Sequence, residues 1–377
     1  MSNDHMKSIP YAQPWMPQET SDFLAKVFAS GQISGSGMEI QKLEIELARL
    51  LNSPSVLAVS NGSAAIRMGF QILDIKPGTK VILPGWGFHV AANIAHSMGA
   101  SIEFRDVNIE SWCLETEILQ DITETKENVI VVLIHTLGNS SNLTDIGGLV
   151  TNEAISILED AAQSFLSLND SRQLGTIFDI GTFSMHAAKT ITTGEGGFMS
   201  INKPNLIEKA KLIRNHGMSK ENPYTHIYPG DNYRISNLLA ALAIPQLKAI
   251  EFITVERSRV YQRYKQNLSD YSKIHFLKEV SPVGFFPWGV CIRIVGSDSI
   301  FQSKLRDHLR QNGVDSRPGF TSAENLPYFS KAGNLKSGRL NNSNLLAQET
   351  VLLPQYVELS NGQIDYICNL LVDFIQR

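Results

Sequence analysis

The sequence predicts an α/β fold: a mostly parallel, doubly wound sheet with helices on both faces, followed by a smaller α+β unit. Two observations predict it. From residue 56 to residue 160, short apolar strands alternate with helical segments. Those strands, such as Val129-Ile130-Val131-Val132-Leu133-Ile134, are continuously apolar, as strands covered on both faces are. A chain of 377 residues is also long enough for two domains. The expected division is a large domain over 1–250, with an N-terminal helical segment, and a small domain over 251–377.

The elements follow in order. Phe23, Leu24, Val27 and Phe28 share one side of a helix over 18–30. Ser34-Gly35-Ser36-Gly37 is a connector, and Ile40, Leu43, Ile45, Leu47, Leu50 and Leu51 recur near the helical period. Val56–Val59 is a strand running into Ser60-Asn61-Gly62-Ser63-Ala64, where a helix opens. A glycine turn opening a helix presents free amides and the positive end of the helix dipole, so it serves either as a phosphate site or as a plain cap. Val81–Pro84 is the next strand, followed by Gly85-Trp86-Gly87-Phe88-His89, a helix over 89–98 and a strand over 102–105. The run Ala154–Leu158 reads as a buried strand with Asp160 at its carboxyl end, the edge where open α/β sheets bind ligands. A strand at 198–201 and a helix over 203–214 continue the chain, and a long helix after 238 bridges to the small domain. There, 289–294 is a strand, 300–312 a helix, and Val351–Pro354 core and turn.

Composition excludes several classes. With 43% hydrophobic and 19% charged residues the chain can bury a large core. A net charge of −4 gives no reason to expect nucleic acid or an anionic membrane as partner. No apolar run approaches the roughly 18 residues that span a bilayer. Cys113, Cys291 and Cys368 are scattered; they form neither a metal spacing nor a disulfide framework, which fits a reducing cytoplasm. No metal is expected.

The chemistry concentrates in Glu159–Gly197. Lys189 sits among small and apolar residues before Gly194-Glu195-Gly196-Gly197. A poorly solvated lysine has a lowered pKa and attacks carbonyls. With Asp160 opposite to hold a protonated ring nitrogen, it suits pyridoxal phosphate (PLP) as a Schiff-base partner. In isolation the same two residues read as a surface lysine and a helix cap.

The segments Glu159-Asp160-Ala161-Ala162-Gln163, Asp179-Ile180-Gly181-Thr182-Phe183-Ser184, Lys189 and Gly194–Gly197 resemble, in order and spacing, the core of the DegT-type nucleotide-sugar aminotransferases, PLP enzymes of fold type I. The resemblance runs from about residue 30 to the C-terminus and is firmest over 56–250. It implies catalytic roles for Lys189 and Asp160. It implies that Ser63 and the Ala64 amide grip the coenzyme phosphate with Ser184, that Phe88 stacks on the ring, and that Gln163 bonds the ring's phenolic oxygen. Gly230-Asp231-Asn232-Tyr233-Arg234 matches the family's G-x-N-Y/F-R-M segment, whose Asn reaches the neighbouring subunit's coenzyme; this implies a homodimer with shared sites. Trp86, His186, Arg234 and Arg317 are candidates to touch substrate. His89 reads as structural rather than catalytic, the structural reading is also favoured for His186, and Arg234 and Arg317 read equally as solvated charges. Gly85 and Gly87 depart from the family's Ser and Thr and point to an altered pocket.

The activity implied is transfer of an amino group from an amino acid, glutamate in much of the family, to a keto-sugar, with ping-pong kinetics. Lys-Thr-Ile-Thr-Thr-Gly-Glu-Gly-Gly with Met218-Ser219-Lys220 resembles most the 4-amino sugar (perosamine-type) synthases, whose nucleotide-linked 4-keto-6-deoxy sugars feed surface polysaccharides such as O-antigen. Three alternatives stand beside it. A sugar dehydratase of the family carries His where this chain has Lys189. An aminotransferase for an aminocyclitol precursor or a free keto-sugar acid fits the same motifs. A non-catalytic regulatory homologue would not require Lys189, Asp160, Gln163 and Ser184 together.

Overall fold

The computed structural model describes residues 8–115, 117–143, 146, 151–329, 336–337 and 339–376. Two helices, α1 (Thr20–Ala29) and α2 (Met38–Leu51), precede the sheet. Ile40, Leu43, Leu47 and Leu51 of α2 are buried on one stripe, as their spacing predicts. The helix ends at Asn52, which takes the left-handed conformation (φ 51°). Then come β1 (Val56–Val59), α3 (Gly62–Ile72), β2 (Lys80–Pro84), α4 (Val90–Ser97), β3 (Ser101–Arg105), β4 (Val129–Ile134) and β5 (Ile155–Asp160). A short hairpin, β6 (Leu168–Asn169) and β7 (Arg172–Gln173), leads to β8 (Ile180–Ser184), β9 (Gly197–Ile201) and α5 (Ile207–Arg214).

An eight-stranded sheet forms in the order β1-β9-β8-β5-β4-β2-β3-β13, where β13 is Lys336–Ser337. Strand β9 runs antiparallel to both its neighbours, and the other pairings are parallel. All six residues of β4 are buried, which is why that strand is apolar on both faces.

Helices α6 (Asn237–Lys248) and α7 (Ile250–Leu268) follow, bent by 73° at the break between them. The rest is β10 (Ile274–His275), β11 (Val290–Ile294), α8 (Ser299–Gln311), β12 (Arg317–Pro318), α9 (Asn341–Glu349), β14 (Thr350–Leu353) and α10 (Asn361–Ile375). Strands β10-β11-β14-β12 form a four-stranded antiparallel sheet over a separate core that includes Val260, Tyr264, Ile292, Leu305, Val351 and Leu371. The segment 351–354, expected as core and turn, thus supplies a central strand of the small sheet.

Two segments cross the division expected at residue 250. Ile9 joins the small-domain core and brackets its chain: the Ile9 amide donates to Gly313 at 2.8 Å and its carbonyl accepts from Asp315 at 2.9 Å. In return, Ala323, Phe329 and Leu340 pack into the core under β2 and β3. Among the described residues no single helix is long and apolar enough to cross a membrane.

Candidate active site

The parallel strands end together, and the loops at their carboxyl ends enclose a cavity of about 670 Å³. Strand β5 contributes two adjacent carboxylates with opposite fates, because successive strand residues face opposite ways. Glu159 points into the protein, where its carboxylate accepts the amides of Gly175, Ile177 and Phe178, each at 2.8 Å, and pairs with His135 Nε2 at 2.9 Å. Asp160 points into the cavity. It is 4% exposed, its carboxylate accepts the Ala162 amide at 3.1 Å, and among the described residues no cation forms an ion pair with it. Burial pushes its pKa up, against the Ala162 bond and the positive charge of Lys189 and His135.

Lys189 follows β8 in a loop tied down at several points. Its amide donates to His186 at 2.8 Å, and the Gln246 side chain brackets Thr192, accepting its amide at 2.9 Å and donating to its carbonyl at 2.7 Å. The Lys189 ammonium lies 4.1 Å from the centroid of the Trp288 ring. Burial lowers its pKa to about 8; Asp160 opposes the shift and Arg257 adds to it. Burial thus favours the neutral amine over the ammonium form.

Helix α3 begins on the wall of the same cavity. Asn61 caps it, accepting the Ala64 amide at 2.8 Å. The Ala64 amide thus serves the cap in this structure, while the first amides of the helix, at Gly62 and Ser63, have no intrahelical acceptor. Gly62 is needed because a Cβ there would lie 3.0 Å from Ser184 Cβ. Gly197 is needed because a Cβ there would lie 2.6 Å from the Asn61 carbonyl carbon. The two glycines let the helix start approach the ends of β8 and β9, with the Ser63 and Ser184 side chains on the same cavity. A free helix terminus with two hydroxyls is a ready phosphate cradle. Between cradle and carboxylate, Phe88 lines the cavity at 60% exposure. Gln163 accepts the Leu137 amide at 3.0 Å, which fixes its oxygen and leaves its NH2 as the donor end. Phosphate cradle, aromatic face, unpaired buried carboxylate and desolvated lysine fit PLP from end to end.

A family model for the DegT/DnrJ/EryC1/StrS aminotransferases matches residues 15–372. The chain belongs to this family. It is a PLP-dependent aminotransferase. It is 29% identical to a GDP-perosamine synthase of Escherichia coli O157:H7 over 98% of this chain and 99% of that one. It is 26% identical to a GDP-perosamine synthase of Vibrio cholerae over 97% and 99%. Among solved structures, an E. coli GDP-4-keto-6-deoxy-D-mannose-3-dehydratase with bound hydrated PLP superposes with a TM-score of 0.88 at 21% identity, covering 97% of this chain and all of that one. A 3-amino-5-hydroxybenzoic acid synthase superposes with a TM-score of 0.86 at 21% identity, over 98% and 100%. These two establish the fold, which is that of fold-type-I PLP enzymes.

The remaining candidates divide. His186 lines the cavity, with its Nε2 3.9 Å from Glu195 at the rim. Trp86 does not reach it: it is fully buried, packed edge-on against Trp112 and Phe320. The departure at Gly85 has the same packing origin, since a Cβ there would lie 2.7 Å from Leu340 and 2.8 Å from the Ser343 hydroxyl. The altered residues in 85–87 thus answer to the core beneath the loop. Asn232 and Arg234 lie away from this cavity, joined by a 3.0 Å bond from Arg234 Nε to Asn232 Oδ1. Arg317 is paired with Asp315 at 3.0 Å and stands 5.7 Å from the Tyr11 ring. Residues not anticipated from the sequence are Tyr11, Trp288 and Phe320 on the cavity wall and Arg257 behind it.

Proposed function

We propose that this aminotransferase moves an amino group from an amino acid, L-glutamate first among candidates, to a nucleotide-linked 4-keto-6-deoxy sugar used in surface polysaccharide. The observation that carries the chemistry is the meeting of Lys189 and Asp160 in one water-poor cavity with a phosphate cradle opposite. The sugar class is supported by similarity along nearly the whole chain to proteins named GDP-perosamine synthase and, at 24% identity, to a Campylobacter jejuni protein named UDP-4-amino-4,6-dideoxy-N-acetyl-beta-L-altrosamine transaminase.

Bound PLP supplies an electron sink for the negative charge that develops on the substrate carbon. The protein does the rest. Asp160 keeps the ring nitrogen protonated. Lys189 Nζ would hold the coenzyme and would carry the proton to and from the substrate carbon, a task that its lowered pKa suits. The Gly62 and Ser63 amides with the Ser63 and Ser184 hydroxyls bind the phosphate. Phe88 and Gln163 fix the ring plane and its phenolic oxygen, and His186 borders the substrate. Release of the keto acid before the sugar enters gives ping-pong kinetics. We further infer a homodimer in which Asn232 and Arg234 serve the partner's site, and a cytoplasmic setting in keeping with three buried, unpaired cysteines.

The test is direct. PLP-loaded protein is incubated with L-glutamate and with GDP- or UDP-linked 4-keto-6-deoxy sugars, and amino sugar and 2-oxoglutarate are followed by mass spectrometry. Amino sugar from a nucleotide-linked substrate supports the proposal. Amination of only a free keto-sugar acid or a cyclitol ketone would replace it. Loss of the sugar's 3-hydroxyl without amination would favour dehydratase chemistry.

A further inference from the structure

A side chain of the small domain reaches Lys189. Trp288 immediately precedes β11 by two residues, yet its ring lies under the Lys189 ammonium at 4.1 Å, and its indole N–H donates to the Ala188 carbonyl at 3.1 Å. One side chain thus grips both the backbone and the charged end of the lysine loop. Behind it stands Arg257 on α7. The residue is 4% exposed, one guanidinium NH2 donates to the Trp288 carbonyl, and its Nε has no partner. Among the described residues no carboxylate pairs with it. An unpaired buried cation is costly to keep, so its position calls for a reason beyond stability. The Gln355 NH2 donates at 3.2 Å to the Arg257 carbonyl, fixing that turn of α7.

We propose that Trp288 is a positioning residue for Lys189, and that Arg257 positions Trp288, so that the small domain sets the geometry of the lysine in the large domain. The proposal rests on Lys189 being the reactive lysine. The ring offers a cation an attractive face while excluding water from it. The indole N–H prevents the loop from drifting away from the ring. Arg257 adds a like charge that disfavours the ammonium form. The other charged or titratable groups around Lys189 are Asp160 from β5, Tyr11 from the N-terminal segment, and His186 and Glu195 from its own loop.

The test reads the lysine without turnover. Full-length protein, before coenzyme is added, is labelled with a trace amine-acylating reagent across pH, and the Lys189 peptide is quantified by mass spectrometry against exposed Lys220. Trp288→Phe keeps the ring and loses the N–H; we expect labelling at pH 7 to rise about threefold, scaled to a single weak contact. Trp288→Leu should raise it further. Arg257→Met should move the Lys189 profile to higher pH, because a like charge is removed, and Arg257→Lys should restore it. In the PLP-loaded enzyme Trp288→Phe should lower kcat by about tenfold with the donor KM nearly unchanged, the signature of a misplaced base. A melting curve checks that each variant is folded. If Trp288→Phe and Arg257→Met both label as wild type at every pH, the proposal is overturned. If Lys189 is repositioned in the variants but takes up no PLP even in wild type, the positioning stands and the assignment of Lys189 as the reactive lysine falls.

Discussion

The carboxyl edge of the eight-stranded sheet and the small antiparallel domain both wall the cavity, but they contribute different things. The sheet edge supplies the groups for which we propose reacting and binding roles: Asp160, Lys189, Gln163, Ser184 and the start of α3. They come from residues 61–195, and strand termini place them. The small domain and the N-terminal segment that crosses to it supply Tyr11, Trp288 and Phe320, with Arg257 behind. These groups border and hold. The difference teaches that chemistry written into local motifs still depends on distant packing for its geometry.

Edge substitutions should therefore abolish activity, and small-domain substitutions only lower it. Lys189→Ala should cost at least about a thousandfold in transamination, since it removes the base itself. Asp160→Asn should cost on the order of a hundredfold while leaving the protein as stable or more so, because a buried unpaired carboxylate is lost. Glu159→Gln sharpens the contrast. That carboxylate holds three amides and His135, so the variant should lose about 3 kcal/mol of stability in denaturant unfolding. If Asp160→Asn proves the destabilising change and Glu159→Gln the inactivating one, the assignment of the two faces of β5 is reversed.

The second contrast lies within one loop. Trp86→Ala should lose about 3–5 kcal/mol, as for any large buried aromatic. Phe88→Ala should change stability by less than about 1 kcal/mol but weaken PLP retention in dialysis, because its exposed face meets the cavity. Equal destabilisation by both would break the distinction.

A smaller effect follows from Lys189 itself. Its folded pKa lies near 8, below the 10.5 of an ordinary lysine, so the unfolded chain binds the proton more tightly between those values. The penalty for holding this ammonium is full below pH 8 and fades as pH rises towards 10.5. Protein without coenzyme and carrying Lys189→Met should thus be more stable than wild type at pH 7, by on the order of 1 kcal/mol after allowing for residual solvent, and the gap should shrink steadily as pH rises from 8 towards 10.5. A gap that is constant or widens with pH contradicts the burial of that charge.

Much of the sheet was legible because its strands are apolar on both faces. Val56–Val59 and Val129–Ile134 emerge with the boundaries their composition predicts. The lysine loop was legible because its glycines and carboxylates lie close together in sequence. What escaped is non-local. Nothing in Phe286-Pro287-Trp288 announces a contact with residue 189, and Tyr11 reaches the cavity only because Ile9 pairs with Val314 far along the chain. The antiparallel run of β9 was hidden because burial gives it the same apolar signature as its parallel neighbours. Trp86 misled because its loop matches a site motif, whereas the side chain answers to Trp112 and Phe320 across the sheet edge. That Asn61 accepts the Ala64 amide is likewise not revealed by the sequence.

The central claim is that one lysine, Lys189, captures the coenzyme opposite Asp160. Adding PLP, reducing with borohydride and mapping the modified peptides tests it most directly. The account predicts a single irreversible pyridoxyl mark, on Lys189, that is absent in Lys189→Ala. A mark on another lysine, or none at all in folded protein, would contradict it.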